Sequence, residues 1–192
     1  MERPRRRNEG VLGEDGNPPV KTELFAASDE EGLVFTFICH EPDKKTPDAK
    51  AKAFDDKDIC KDDVVELFFC HPDLSVETHY IVNSNGAVAD YAWNNQDAAE
   101  SIAWDANNVT TFAEPGDGRW IAQIKIPWEN FDAAGPGDFD IIGNLYRIRT
   151  INGREEHAAA VATWSYAHLA PSAFPLILAP VFQINHKLFI FN

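Results

Sequence analysis

Three of the features the chain lacks narrow its function most: methionine, clustered cysteine and positive charge. Its only methionine is Met1, and its three cysteines, Cys39, Cys60 and Cys70, form no close pairs with one another or with histidine. That spacing excludes zinc-finger-type sites. It leaves open one disulfide with a free thiol or three buried thiols. Lysine and arginine together number 17 against 31 aspartates and glutamates, a net charge of −14. Nucleic acid demands a positive surface, so it is excluded as a partner, and a neutral polar ligand fits better than an anionic one. No apolar run approaches the roughly 20 residues that span a bilayer. There is no phosphate-binding loop, Gly-rich dinucleotide fingerprint, Gly-x-Ser-x-Gly elbow or internal repeat. The opening "MERPRRRNEG" is basic, and the apolar stretch of a secretory signal does not follow it. Residues 1–19 therefore read as a basic arm or linker, poorly packed through about residue 18.

What is present is a soluble, β-rich composition. Hydrophobic residues make up 44% and charged residues 25% of 192, enough for one domain with a sizeable core. Short strand-like runs recur: 20–27, 32–40, 64–70, 78–85, 87–93, 108–114, 119–127, 141–151, 159–165 and 174–179. Turn-forming "SDEEG", "NSNG", "EPGDG" and "GPGD" separate them. Only 97–104 and 128–131 suggest a turn of helix. Strands without alternating helices predict an all-β, two-sheet antiparallel sandwich of jelly-roll or immunoglobulin type. The charged connection 41–61 is long for such a fold, and long loops on rigid sandwiches are functional or mobile.

One residue interrupts the most apolar of these strands. In "DDVVELFFC" (62–70), alternation places Val64, Glu66 and Phe68 on one face and Val65, Leu67 and Phe69 on the other. Both faces are apolar enough to be covered, so Glu66 is expected under cover, either in an ion pair or as an acid of a binding site. In 119–127 the same alternation groups Trp120, Ala122, Ile124 and Ile126 against Arg119, Ile121, Gln123 and Lys125. In 141–151 it groups Leu145, Arg147 and Arg149 against Asn144, Tyr146 and Ile148. Arg147 is the expected partner of Glu66, should the two share a face.

No pattern of catalytic residues emerges. The six histidines are scattered, and no spacing singles out a carboxylate pair for glycoside hydrolysis, so an enzyme is not expected. The acid-rich "DDKD" (55–58) is the candidate for a structural calcium, although it lacks the glycine and terminal glutamate of an EF-hand. No other cofactor is expected.

The chain resembles the family 9 carbohydrate-binding modules and their relatives in the DOMON-like β-sandwich superfamily. The resemblance rests on 21–43, "CKDDVVELFFCHPD" (60–73), "HYIVNSNGAVADYAW" (79–93), "RWIAQIKIPWENF" (119–131), "GNLYRIR" (143–149) and 162–178, in that order. It spans residues 20–179 and leaves 180–192 as a tail or an extra strand. It implies a non-catalytic module that binds an oligo- or polysaccharide and targets an extracellular or periplasmic polysaccharide-acting protein, with other domains of a longer polypeptide as further partners. In the family, two Trp rings sandwich a terminal sugar while polar groups on the sheet bind its hydroxyls.

Glu66 falls at a sugar-contacting carboxylate of the family and Arg147 at an amide position. The expected ligand-binding set is Glu66, Arg147, His79, Tyr80, Trp93, Gln123, Arg149, Trp164 and His168. The departures are specific. The sandwiching Trp positions fall near Cys60 and His168, an Arg becomes Ile81, and the family's Ile-Asp-Gly opening is absent. The alternatives are a docking sandwich without small ligand and, more remotely, a haem-binding domain. Haem with Met–His ligation finds no methionine other than Met1.

Overall fold

A computed structural model gives the fold and describes residues 20–43, 46–70, 76–94, 99–101, 104–131, 141–159, 176–178 and 187–191. Twelve strands follow in chain order: β1 (Thr22–Ser28), β2 (Gly32–His40), β3 (Val64–Cys70), β4 (Val76–Asn83), β5 (Val88–Asn94) and β6 (Ala99–Ser101). They continue as β7 (Thr110–Gly116), β8 (Arg119–Pro127), β9 (Ile141–Ile151), β10 (Arg154–Ala159), β11 (Leu176–Leu178) and β12 (Lys187–Phe191). Two short 3-10 turns, Ile59–Lys61 and Trp128–Phe131, complete the described elements.

The strands form two sheets, and every pairing is antiparallel. The five-stranded sheet runs β12-β1-β2-β8-β7 and the seven-stranded sheet β10-β9-β3-β4-β5-β6, with β11 also on β9. This is the all-β sandwich that the short alternating runs predict. The apolar phase of each strand decides which side turns inward. Phe35, Phe37, Trp120, Ala122, Ile124 and Ile126 from one sheet pack on Val65, Leu67, Phe69, Tyr80, Val82 and Leu145 from the other. Lys187–Phe191, from the tail, lies on the outer edge of β1.

Two turns show why the chain reverses where it does. Gly86, with φ of 81°, sits between β4 and β5, where Asn83 accepts from the backbone N–H groups of Asn85 and Ala87. Gly118, with φ of 71°, joins β7 to β8. One expectation is corrected here: residues 97–104 were read as helix-like, but Ala99–Ser101 pairs as an edge strand against β5. Edge pairing has prevailed over the helix-favouring alanines there.

The long connection before β3 is pinned rather than loose. The Asp62 carboxylate accepts from the backbone N–H groups of Lys50 and Ala51 and from Asn83 Nδ2, each at 2.9 Å. Asp63 accepts from the N–H groups of Asp48 and Thr150, both at 2.8 Å. These bonds hold Ala51 and Ile59 over Val64, Ile81, Ala87 and Ala89, a second apolar cluster on the outer face of the seven-stranded sheet. Burial of Glu66 inside β3 follows from its being part of this covered face.

Candidate functional site

Register fixes what surrounds Glu66. Residues directly opposite in antiparallel strands share a face. Glu66 stands opposite Tyr146 on β9 and Ile81 on β4, and Phe68 stands opposite Asn144 and His79. His79 in turn faces Tyr91, and Glu77 faces Trp93, across β4 and β5. The outer face of the seven-stranded sheet therefore carries Tyr146, Glu66, Phe68, His79, Tyr91 and Trp93 together.

The rings form a continuous set. His79 stacks on Phe68 with centroids 3.9 Å apart and planes 15° from parallel. Tyr146 meets Phe68 edge-on at 5.3 Å. Trp93 lies 5.6 Å from His79 and 5.7 Å from Tyr91, with interplanar angles of 31° and 30°. Phe68 is buried, whereas Tyr91, Trp93 and Tyr146 are half-buried, with Tyr91 packed against the second apolar cluster. Glu66 is 8% exposed, and its Oε2 lies 3.6 Å from His79 Nε2, beyond hydrogen-bond distance. Asn144 Nδ2 donates to the Tyr146 hydroxyl at 3.2 Å. A carboxylate that accepts no hydrogen bond from a described residue, on the same face as this ring set, can bind the hydroxyls of a sugar while the rings meet its C–H face.

Four of the expected site residues are elsewhere. Arg147 is opposite Val65, so it points to the sandwich interior, away from Glu66. There it is 1% exposed and donates to Thr22 Oγ1 at 3.1 Å, to the His40 carbonyl at 2.8 Å and to Glu41. Arg149 shares that side and donates to Glu41 at 2.9 Å, Asp43 at 3.1 Å and Glu156 at 2.6 Å. Burial works against its charge, yet the bonds to Glu156, Asp43 and Glu41 outweigh burial and hold its pKa above the usual value. The Glu66–Arg147 pair does not form, because a one-residue difference in register reverses the face.

Tyr80 also points inward, and burial first, then the nearby Asp90 charge, pushes its hydroxyl above the usual range. Gln123 is exposed on the five-stranded sheet, where its amide donates to Thr36 Oγ1 at 2.9 Å. Trp164 and His168 lie outside the described residues, as does the 1–19 arm. Tyr91 and Tyr146 were missed from the sequence. Tyr91 shares the phase of Trp93 two residues on, a signal that was legible. Tyr146 needed the β3–β9 register.

The acid-rich 55–58 run forms a local turn. Asp56 Oδ1 accepts from the Asp58 N–H at 3.0 Å, and Lys61 pairs with Asp58. Among the described residues, no group of three or more His, Cys, Asp or Glu is placed to hold a metal ion. None of Cys39, Cys60 and Cys70 is in a disulfide; Cys39 and Cys70 are buried but Cys60 is exposed, and burial pushes Cys39 up to about 12. No described helix is long and apolar enough to cross a membrane.

The sequence matches no protein-family profile and no curated protein. Solved structures do match. A candidate carbohydrate-binding protein from Bacteroides uniformis ATCC 8492 superimposes with a TM-score of 0.58 at 16% identity, over 90% of this chain and 78% of that one. A family 9 module from Caldicellulosiruptor kristjanssonii in complex with cellotriose gives 0.50 at 14% identity, over 74% and 69% of the two chains. The same organism's family 9 module in complex with glucose gives 0.50 at 13% identity, over 74% and 70%. With its two antiparallel sheets, this chain has a fold like that of the family 9 carbohydrate-binding modules.

Proposed function

We propose that the chain is a non-catalytic carbohydrate-binding module whose site is the outer face of the seven-stranded sheet. The observation that carries this reading is Glu66 beside His79, whose ring stacks on Phe68 and neighbours Tyr91 and Trp93, with Tyr146 opposite Glu66 on β9. The fold's neighbours include a module in complex with cellotriose and one in complex with glucose, which supports a saccharide as the partner. In this role the module tethers an extracellular polysaccharide-acting protein to its glycan.

The roles follow from the chemistry. Tyr91 and Trp93 offer apolar faces to the C–H side of the sugar, and Glu66 accepts from hydroxyl groups. Affinity per contact is modest, since each hydroxyl exchanges bonds to water for bonds to protein. This arrangement is a platform of rings along β4 and β5, in place of the family's paired Trp, whose positions fall near Cys60 and His168 in this chain.

Titration calorimetry against a panel of neutral oligosaccharides tests the reading, using wild type and Trp93→Ala. Loss of a ring at a binding hot spot costs about 2 kcal/mol, roughly thirtyfold in affinity. Equal affinities for the two proteins would remove Trp93 from the site. No heat from either with any glycan would leave the docking-module reading in its place.

A further inference from the structure

The face that carries Glu66 is one-sided in charge. Among the strand residues that the register places on it, the acidic and basic ones are Glu66, Glu77, Glu100, Glu155, His79 and His157, with no lysine or arginine. The strand beside Glu66 does carry two arginines, but both point inward and are committed to Glu41, Asp43 and Glu156. Lysines of the overlying connection, Lys50, Lys52, Lys57 and Lys61, are exposed to solvent, and Lys61 is held by Asp58.

Glu66 itself is buried, its side chain 11% exposed, and no described residue donates a hydrogen bond to it. A buried carboxylate in that state gains most from a charged donor. A hydroxyl donating to a carboxylate already makes a charge-assisted bond; an ammonium adds the direct attraction of opposite charges, and cations are also drawn to ring faces.

We infer that the site selects glycans by charge: amine-bearing sugars bind best, neutral sugars next, and uronic acids are excluded. This rests on the outer face being the sugar site. An ammonium placed at Glu66 pairs with its carboxylate and lies beside Tyr146, which stands opposite Glu66 on β9. A neutral hydroxyl fills the same acceptor position with a weaker bond. A uronate carboxylate there meets Glu66 with no guanidinium or ammonium among the described strand residues to offset the repulsion.

The test is calorimetry at physiological salt with three short β-linked oligosaccharides of matched length: glucose, glucosamine with its amine protonated, and glucuronate. Each is titrated into wild type, Glu66→Gln and Glu114→Gln, the last an exposed carboxylate on the five-stranded sheet. The expected result is amine binding about tenfold tighter than neutral binding, with no uronate binding. Glu66→Gln brings amine and neutral affinities within about twofold of each other, while Glu114→Gln leaves their ratio as in wild type. Equal amine and neutral affinities in wild type, or uronate binding as tight as neutral, would overturn the inference. So would an amine preference that survives Glu66→Gln, which would assign it to the overall charge of −14. Neutral binding without charge selection leaves the sugar site standing and sinks only the selectivity. Absence of binding by all three sinks both.

Discussion

Asp90 shows how a single buried carboxylate sets a pH dependence. It faces inward opposite Tyr80, and its Oδ1 accepts from the Ala106 N–H at 3.2 Å, while Oδ2 is buried without a hydrogen bond. Burial first, and then the charges of Asp55 and Asp105, push its pKa up from 3.8 to about 6. The folded chain therefore holds the proton more tightly than the unfolded chain does. The contribution of Asp90 to the unfolding free energy falls as pH rises from about 4 to about 6 and is level above that. Asp90→Asn keeps the acceptor for Ala106 and removes the charge. It should raise stability at neutral pH by on the order of 2 kcal/mol and leave it little changed at pH 3. Urea melts of both proteins at several pH values check this; parallel curves for wild type and variant would refute the assignment.

At the scale of elements, the connection 46–63 owes its position to a few side chains. Asp62 holds two backbone N–H groups and the Asn83 amide, and Asn83 in turn donates to the Ala51 carbonyl at 2.9 Å. Asp62→Ala strands these buried donors, and a cost of about 2–4 kcal/mol is expected, with faster amide exchange around Ala51. An unchanged melting temperature would contradict this. The sequence made the strands legible because alternation is local. "RWIAQIKIP" shows its buried Trp120, Ala122, Ile124 and Ile126 without any partner. What alternation leaves open is which faces meet. Leu145, Arg147 and Arg149 were correctly grouped, yet the grouping was joined to the wrong face of β3. Only the pairing of Glu66 with Tyr146, a long-range fact, assigns the site. Neither local pattern nor charge suggested that two arginines would turn inward.

Across the whole molecule, those arginines join the sheets. Arg147 and Arg149 come from the seven-stranded sheet, while Glu41, the His40 carbonyl and Thr22 belong to or adjoin β1 and β2 of the five-stranded sheet. Glu41 is 1% exposed and accepts from both. Its truncation to alanine leaves the buried Arg147 guanidinium without its carboxylate partner, while Arg149 keeps Asp43 and Glu156, and a loss of about 3–5 kcal/mol is expected. Chemical denaturation measures it, and a loss below about 1 kcal/mol would mean that water enters and screens the pair. The division of labour is then clear. Arginine on the inner side of β9 serves the fold, which frees the outer side for rings and Glu66.

The central claim, that a glycan occupies this outer face, is tested most directly by amide chemical-shift mapping during titration with a neutral oligosaccharide. The account predicts saturable shifts concentrated at Glu66, Phe68, His79, Tyr91, Trp93 and Tyr146, with the five-stranded sheet around Thr36 and Gln123 unmoved. Shifts centred on Thr36 and Gln123 instead, or no shifts at saturating sugar, would contradict it.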